Sequence, residues 1–142
     1  MTQDACAELA RTAEIIAAEH PDWSGHVFLV ELGSRVAGIG RRRMAVLGLL
    51  LGGRNRLKGG GFRRELRDHS AGQSRHFVGI ARAVTVLGAG RTRWVSVHVR
   101  RDAPESPDGR LTELAIGFAT GVLDGSVPTG RAGDWIRERV CD

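Results

Sequence analysis

Arg110-Leu111-Thr112-Glu113-Leu114-Ala115-Ile116-Gly117-Phe118-Ala119-Thr120-Gly121-Val122-Leu123 is the stretch on which the fold turns. Leu111, Leu114, Ala115, Phe118, Ala119, Val122 and Leu123 recur in steps of three and four. Only a helix gathers such positions on one broad apolar face. Asp124-Gly125 stops it, since glycine readily takes the backbone conformation that closes a helix. Upstream, Ser106-Pro107-Asp108-Gly109 has turn chemistry and makes 104–109 a connector.

The same periodicity predicts a helix over residues 2–20, with Cys6, Leu9, Ala13 and Ile16 on its stripe. His20-Pro21-Asp22 ends it, because the residue before proline is pushed out of the helical region. Asp22 or Ser24 is placed to cap the next element. A third helix is expected over 71–88, with Phe77, Ile80, Ala81, Val84 and Leu87 inward and Gly88 and Gly90 as its stop. Arg75 and Arg82 fall on its opposite, solvent side.

Other segments read less simply. In 26–39, Val27-Phe28-Leu29-Val30 has strand composition, but Leu29, Leu32, Val36 and Ile39 keep helical spacing, and helix is the better fit. The apolar run 44–51 reads as a buried helix behind Arg41-Arg42-Arg43, and is too short to span a bilayer. Gly52 to Gly61 reads as a basic connector. Residues 62–67 suit a helical turn and 133–141 a short last helix that docks Trp135, Ile136 and Val140. Trp94-Val95-Ser96-Val97-His98-Val99 alternates with period two and reads as a strand, with 27–30 as its only available partner. The expected fold is mainly α: a compact single-domain bundle of four to six helices with glycine-rich loops and room for one short β-hairpin.

Composition fits that class. Of 142 residues, 42 % are hydrophobic and 26 % charged, near the globular norm, which excludes wholesale disorder. The formal net charge is +5, and Lys58 is the only lysine, so the positive charge is arginine. Guanidinium forks match oxyanions in pairs, so arginine excess points to nucleic acid or an acidic protein surface. The basic stretches are 41–43, 54–58, 63–67 and 91–101. The last sets Arg91, Arg93, Arg100 and Arg101 around Trp94, an arrangement that can hold phosphates and stack a base. No helix-turn-helix, RRM or zinc-finger signature accompanies it. Cys6 and Cys141 stand near opposite ends; they can pair if the ends meet, but small, partly buried thiols are the simpler expectation. Asp4, Glu8 and Arg11 interrupt the first stretch, so no signal peptide is expected there and the expected location is cytoplasmic.

The densest polar grouping is Glu65-Leu66-Arg67-Asp68-His69-Ser70-Ala71-Gly72-Gln73-Ser74-Arg75-His76, at the entrance to the 71–88 helix. Unpaired N–H groups at a helix start favour an anion or a charge that develops during reaction. His69 or His76 can serve as a base near neutral pH, with Glu65 or Asp68 orienting it. Gln73 and Arg75 can hold a phosphate or carboxylate. The structural alternative is a capping box in which Ser70 and Gln73 satisfy each other's backbone donors. His69 and His76 are seven apart, His-Glu-x-x-His is absent, and no metal or other cofactor is expected. No Gly-x-Ser-x-Gly elbow marks a serine nucleophile, and a Glu65/Asp68 pair is common on any helix. Two functions remain: an arginine-based module for an anionic partner, or a small hydrolase or transferase with an acid/base site at 65–76.

Overall fold

The computed structural model describes residues 3–42, 56–68 and 70–142. The expected helix 44–51, residues 52–55 of the 52–61 connector and His69 fall outside them. Among the described residues there are five α-helices and no strand. The mainly α expectation is met, and the hairpin is not formed.

Helix α1 spans Ala5–Glu19, and Asp4 caps it by accepting from the Ala7 N–H at 2.9 Å. Its stripe of Cys6, Leu9, Ala13 and Ile16 is buried. His20 ends it and stacks on Trp23 with ring centroids 3.6 Å apart. Helix α2 is Gly25–Ala37, capped by Ser24, with Gly38 left-handed at its end. Helical spacing thus prevails over the strand-like composition of 27–30. Gly25 is required by packing, because a Cβ there would lie 2.2 Å from the Val122 carbonyl oxygen.

Helix α3 runs Gln73–His98 and is broken at Gly88, whose φ of 81° and ψ of 170° are not helical. A straight helix would separate His76 from Ser96 by about 30 Å, at 1.5 Å per residue. Both side chains instead lie within 3.3 Å of the same Thr112 hydroxyl. Gly88 therefore reverses the chain, and α3 is a hairpin of two helical arms. That corrects the strand reading of 94–99: this segment is the returning arm. Of its alternate valines, Val95 and Val97 are half-buried and Val99 exposed, and Ser96 is the position turned inward.

Helix α4 is Pro107–Asp124, with Ser106 accepting from the Gly109 N–H at 3.1 Å and Pro107 in the first turn. It begins three residues earlier than its apolar pattern shows, because Ser106-Pro107 is a helix start and not only a turn. Helix α5 is Ala132–Arg139, entered through a 3₁₀ turn at Thr129–Arg131. Helix α4 lies against α3 and α2, while α5 packs on α1. Phe118 is central, with Phe77 and Trp135 each 5.2 Å away between ring centroids. Burying a phenylalanine of this kind contributes about 1.5–3 kcal/mol.

The two chain ends meet. Cys6 and Cys141 form a disulfide, with Cα atoms 5.6 Å apart, in place of the two thiols expected. Residues 59–63 pass between the ends as a strap. Cys6 N–H donates to Gly60 O, Asp142 N–H to Gly61 O and Arg63 N–H to Val140 O, at 3.2, 2.8 and 2.9 Å. Gly61 has φ of 89°, and a Cβ there would collide with the Asp4 carboxylate. Arg82 is not in solvent: it is 1 % exposed and donates to Thr85 and to the carbonyls of Arg41 and Arg42.

Candidate functional site

Three pieces of chain converge where α3 begins and ends: its first turn, the loop 99–106 and the first turn of α4. The Gly88 reversal brings them together. His76 is buried, its Nδ1 3.0 Å from an Arg100 Nη2 and its Nε2 2.7 Å from Thr112 Oγ1. A guanidinium only donates, so Nδ1 accepts and the proton sits on Nε2, directed at Thr112. Ser96 Oγ lies 2.9 Å from Asp102 Oδ2 and 3.3 Å from Thr112 Oγ1. Its one hydrogen goes to the carboxylate, so Thr112 donates to Ser96. Arg100 Nε donates to Asp102 Oδ2 at 3.2 Å and closes the ring. The chain His76–Thr112–Ser96–Asp102–Arg100 is thus a closed circuit in which the imidazole hydrogen and both hydroxyl hydrogens have acceptors.

This circuit bears on the expected role of His76. Burial first, and the Arg100 charge second, push its pKa down to about 4, against the opposing pull of Asp102, the Asp108 backbone and Asp68. The imidazole is neutral near pH 7 and a weak base, with its one free lone pair, on Nδ1, already taken by Arg100.

Next to it stands a pair of carboxyl groups. Asp68 Oδ1 accepts from the Ser70 N–H at 2.9 Å, Ser70 Oγ at 2.6 Å and Gln73 Nε2 at 2.8 Å. The Asp108 carboxyl stands close enough to that of Asp68 for the two to share a proton. Burial alone would raise Asp68, but the bonds from Ser70 and Asp108 outweigh it and hold Asp68 below the ordinary carboxylate range. Asp108 is pushed up to about 6 by burial, by its hydrogen bond to Asp68 and by the charges of Asp68 and Asp102, with Arg100 opposing. Two carboxyls this close cannot both ionise cheaply, so below about pH 6 one proton is retained, on Asp108.

Ser70 and Gln73 turn from Asp68 toward a cavity of about 670 Å³. The strap residues Gly59, Gly60 and Phe62 form one side of it, and Arg64 and Arg67 another. The carboxyl pair lies one hydrogen bond behind this wall.

Of the residues singled out by sequence, Asp68, Gln73, His76 and Arg100 come together. Glu65 is exposed on the 3₁₀ turn Arg64–Leu66 and stands outside the circuit. Arg75 is half-buried on the first turn of α3. Arg93 is tied to Glu113 by two bonds of 2.7 and 3.1 Å on the returning arm, where Arg91 is exposed. Arg101 is exposed with φ of 58°. Of the four basic residues around Trp94, Arg93 and Arg100 are thus paired with carboxylates of the chain, while Arg91 and Arg101 are exposed. The capping box does not form either: Gly72 is the N-cap, and both Ser70 and Gln73 bond Asp68. Ser96, Asp102, Asp108 and Thr112 are the members that sequence reasoning missed. A helical reading of 92–98 would have flagged Thr92 and Ser96, four apart on a face otherwise meant for the core. No group of three or more histidine, cysteine or acidic residues is arranged for a metal among the described residues. No helix there is long and apolar enough to cross a membrane. The chain matches no family model, no curated protein and no solved structure.

Proposed function

We propose that the chain is a small hydrolase whose acid/base pair is Asp68 and Asp108. The observation that carries this reading is a hydrogen-bonded carboxylate and carboxylic acid set one bond behind a cavity wall. Such a pair performs both halves of a carbonyl hydrolysis. Asp68, ionised, takes a proton from water as its oxygen attacks the carbonyl carbon. Asp108 gives its proton to the carbonyl oxygen, and a tetrahedral gem-diol forms. Returning a proton to the leaving nitrogen or oxygen lets the carbon–heteroatom bond break. Glycoside hydrolysis is disfavoured, because its two carboxyls stand about 5–9.5 Å apart to flank a sugar. The neutral circuit behind the pair holds α3 and α4 in register and keeps a competing charge away.

A panel of p-nitrophenyl esters and p-nitroanilides, assayed from pH 4 to 8, tests this. Turnover should be highest below about pH 6, where Asp108 keeps its proton, and should be lost in Asp108→Asn. Wild-type rates no greater than those of Asp108→Asn on every probe would sink the proposal.

A second reading, recognition of nucleic acid or an acidic protein, is supported by Arg91 and Arg101, which are exposed near Trp94, itself 58 % exposed. It has less behind it, because Arg35, Arg41, Arg67, Arg93, Arg100, Arg131 and Arg137 are all in ion pairs within the chain. The Cys6–Cys141 disulfide supports work in an oxidising compartment over the cytoplasm, where thiols are kept reduced.

A further inference from the structure

We propose that the 670 Å³ cavity takes an amide bearing a carboxylate, such as an N-acyl amino acid or the C-terminal end of a peptide. Gln73 receives the amide N–H, and Arg64 receives the carboxylate. This rests on the hydrolase reading above and narrows its substrate.

Gln73 is 4 % exposed and forms part of the cavity wall. Asp68 is ionised and only accepts, so the amide nitrogen of Gln73 must face it, as the 2.8 Å bond shows. The amide oxygen is thereby turned away from Asp68. It has no hydrogen-bond partner among the described residues and almost no accessible surface, so a ligand's N–H reaches it only with a shift of the Gln73 side chain toward the cavity it lines. A buried acceptor left in that state is costly, and a ligand that brings an N–H removes the cost. An ester has no such hydrogen to bring.

Charge fixes the other end. Arg64 is exposed on the cavity rim, and its guanidinium has no hydrogen-bond partner among the described residues. Arg67 beside it is held by the Phe62 carbonyl at 3.1 Å and by Asp142 at 2.8 Å, so it shapes the rim while Arg64 remains open to a carboxylate. Phe62 contributes apolar lining to the same cavity.

Three probes of nearly equal size separate the requirements. N-acetylglycine has both the N–H and the carboxylate, 2-acetoxyacetate replaces the N–H by oxygen, and N-acetylglycinamide removes the charge. Titrated into ¹⁵N-labelled protein, N-acetylglycine should shift the amides of Gly59, Gly60, Ala71 and Gln73. The other two should bind about two- to tenfold more weakly, the value of one hydrogen bond or exposed ion pair. Arg64→Ala, at an exposed site that leaves the core alone, should abolish the preference for the carboxylate. Gln73→Met should abolish the preference for N–H over O. Equal affinity for all three probes, shifts scattered away from the cavity, or an Arg64→Ala variant that still prefers the carboxylate would each overturn the proposal. Asp108→Asn should bind N-acetylglycine as the wild type does. Binding with no Asp108-dependent hydrolysis would thus remove the hydrolase reading alone, and hydrolysis without this binding pattern would remove the substrate proposal alone.

Discussion

Removing the disulfide measures how the chain ends are held. The bridge joins residues 135 apart in sequence. Closing a loop of that span denies the unfolded chain about 5 kcal/mol of conformational entropy on the chain-entropy account, and bridges commonly deliver about 2–4 kcal/mol. The folded state should survive the loss, because the strap keeps its own hydrogen bonds from Asp142 to Gly61 and from Arg63 to Val140. The main effect of a Cys6→Ser/Cys141→Ser double variant is therefore on the unfolded side. At about 2–4 °C per kcal/mol for a domain of this length, melting should fall by roughly 5–15 °C. Calorimetry on the oxidised protein, the reduced protein and the double variant should give one high midpoint and two coincident lower ones. Thiol titration of the oxidised protein should find no free cysteine. A drop of less than about 2 °C, or two titratable thiols in the untreated protein, would refute the reasoning and return the cysteines to the role first expected of them.

Gly88→Ala should cost about 1–3 kcal/mol in urea unfolding, since φ and ψ there suit glycine almost alone while nothing lies within 4 Å of an added Cβ; an unchanged midpoint would mean that the hairpin turn is not formed. Thr112→Val keeps the shape of the side chain but removes the acceptor for His76 and the donor for Ser96, and should destabilise by about 1–3 kcal/mol, read by chemical denaturation. His76 makes stability fall as pH drops from 6.5 to about 4, because the unfolded chain takes up a proton that the folded ring refuses. Asp108 acts in the opposite sense: its contribution is complete below 3.8 and is lost as pH rises through about 6. Half-exposed as it is, it offsets only part of the histidine effect, so Asp108→Asn should steepen the acid-side loss of melting temperature and gain stability at pH 8. An unaltered pH profile would count against the shared proton. Retention on heparin at low salt should be weak and little changed by Arg91→Ala with Arg101→Ala; strong retention that this pair of changes removes would favour the anionic-partner reading.

The apolar stripes were legible because helical periodicity is local. Leu9, Ala13 and Ile16, or Leu111, Ala115 and Phe118, announce a buried face within a dozen residues. The site was half legible for the opposite reason. Asp68, Gln73 and His76 sit within nine positions and stood out as a dense polar run. Their partners lie 24 to 36 residues away from His76 and are reached only through the reversal at Gly88. Asp108 was hidden in a Pro-Asp-Gly sequence that reads as a turn, and Ser96 in a valine alternation that reads as a strand. The disulfide had no local signature, since a separation of 135 residues is settled by where the ends of α1 and α5 come to rest.

The circuit around His76 also decides which group in the cluster is free to exchange a proton. Arg100 and Asp102 cancel each other, and burial keeps the imidazole uncharged. Were His76 to carry a charge, it would stabilise ionised Asp108 across the first turn of α4 and empty the pair of its proton. With the ring neutral, Asp68 is left as the only full negative charge in contact with Asp108, and the hydrogen bonds from Ser70 and Gln73 keep it so. On the proposed hydrolase reading, the acid is then the half-buried carboxyl nearer to solvent, not the imidazole a chemist would choose first from the sequence. A group with access to water can regain its proton between turnovers; one that is nine-tenths buried cannot do so readily. On that reading, the burial that weakens His76 as a base leaves Asp108 as the acid of the cluster.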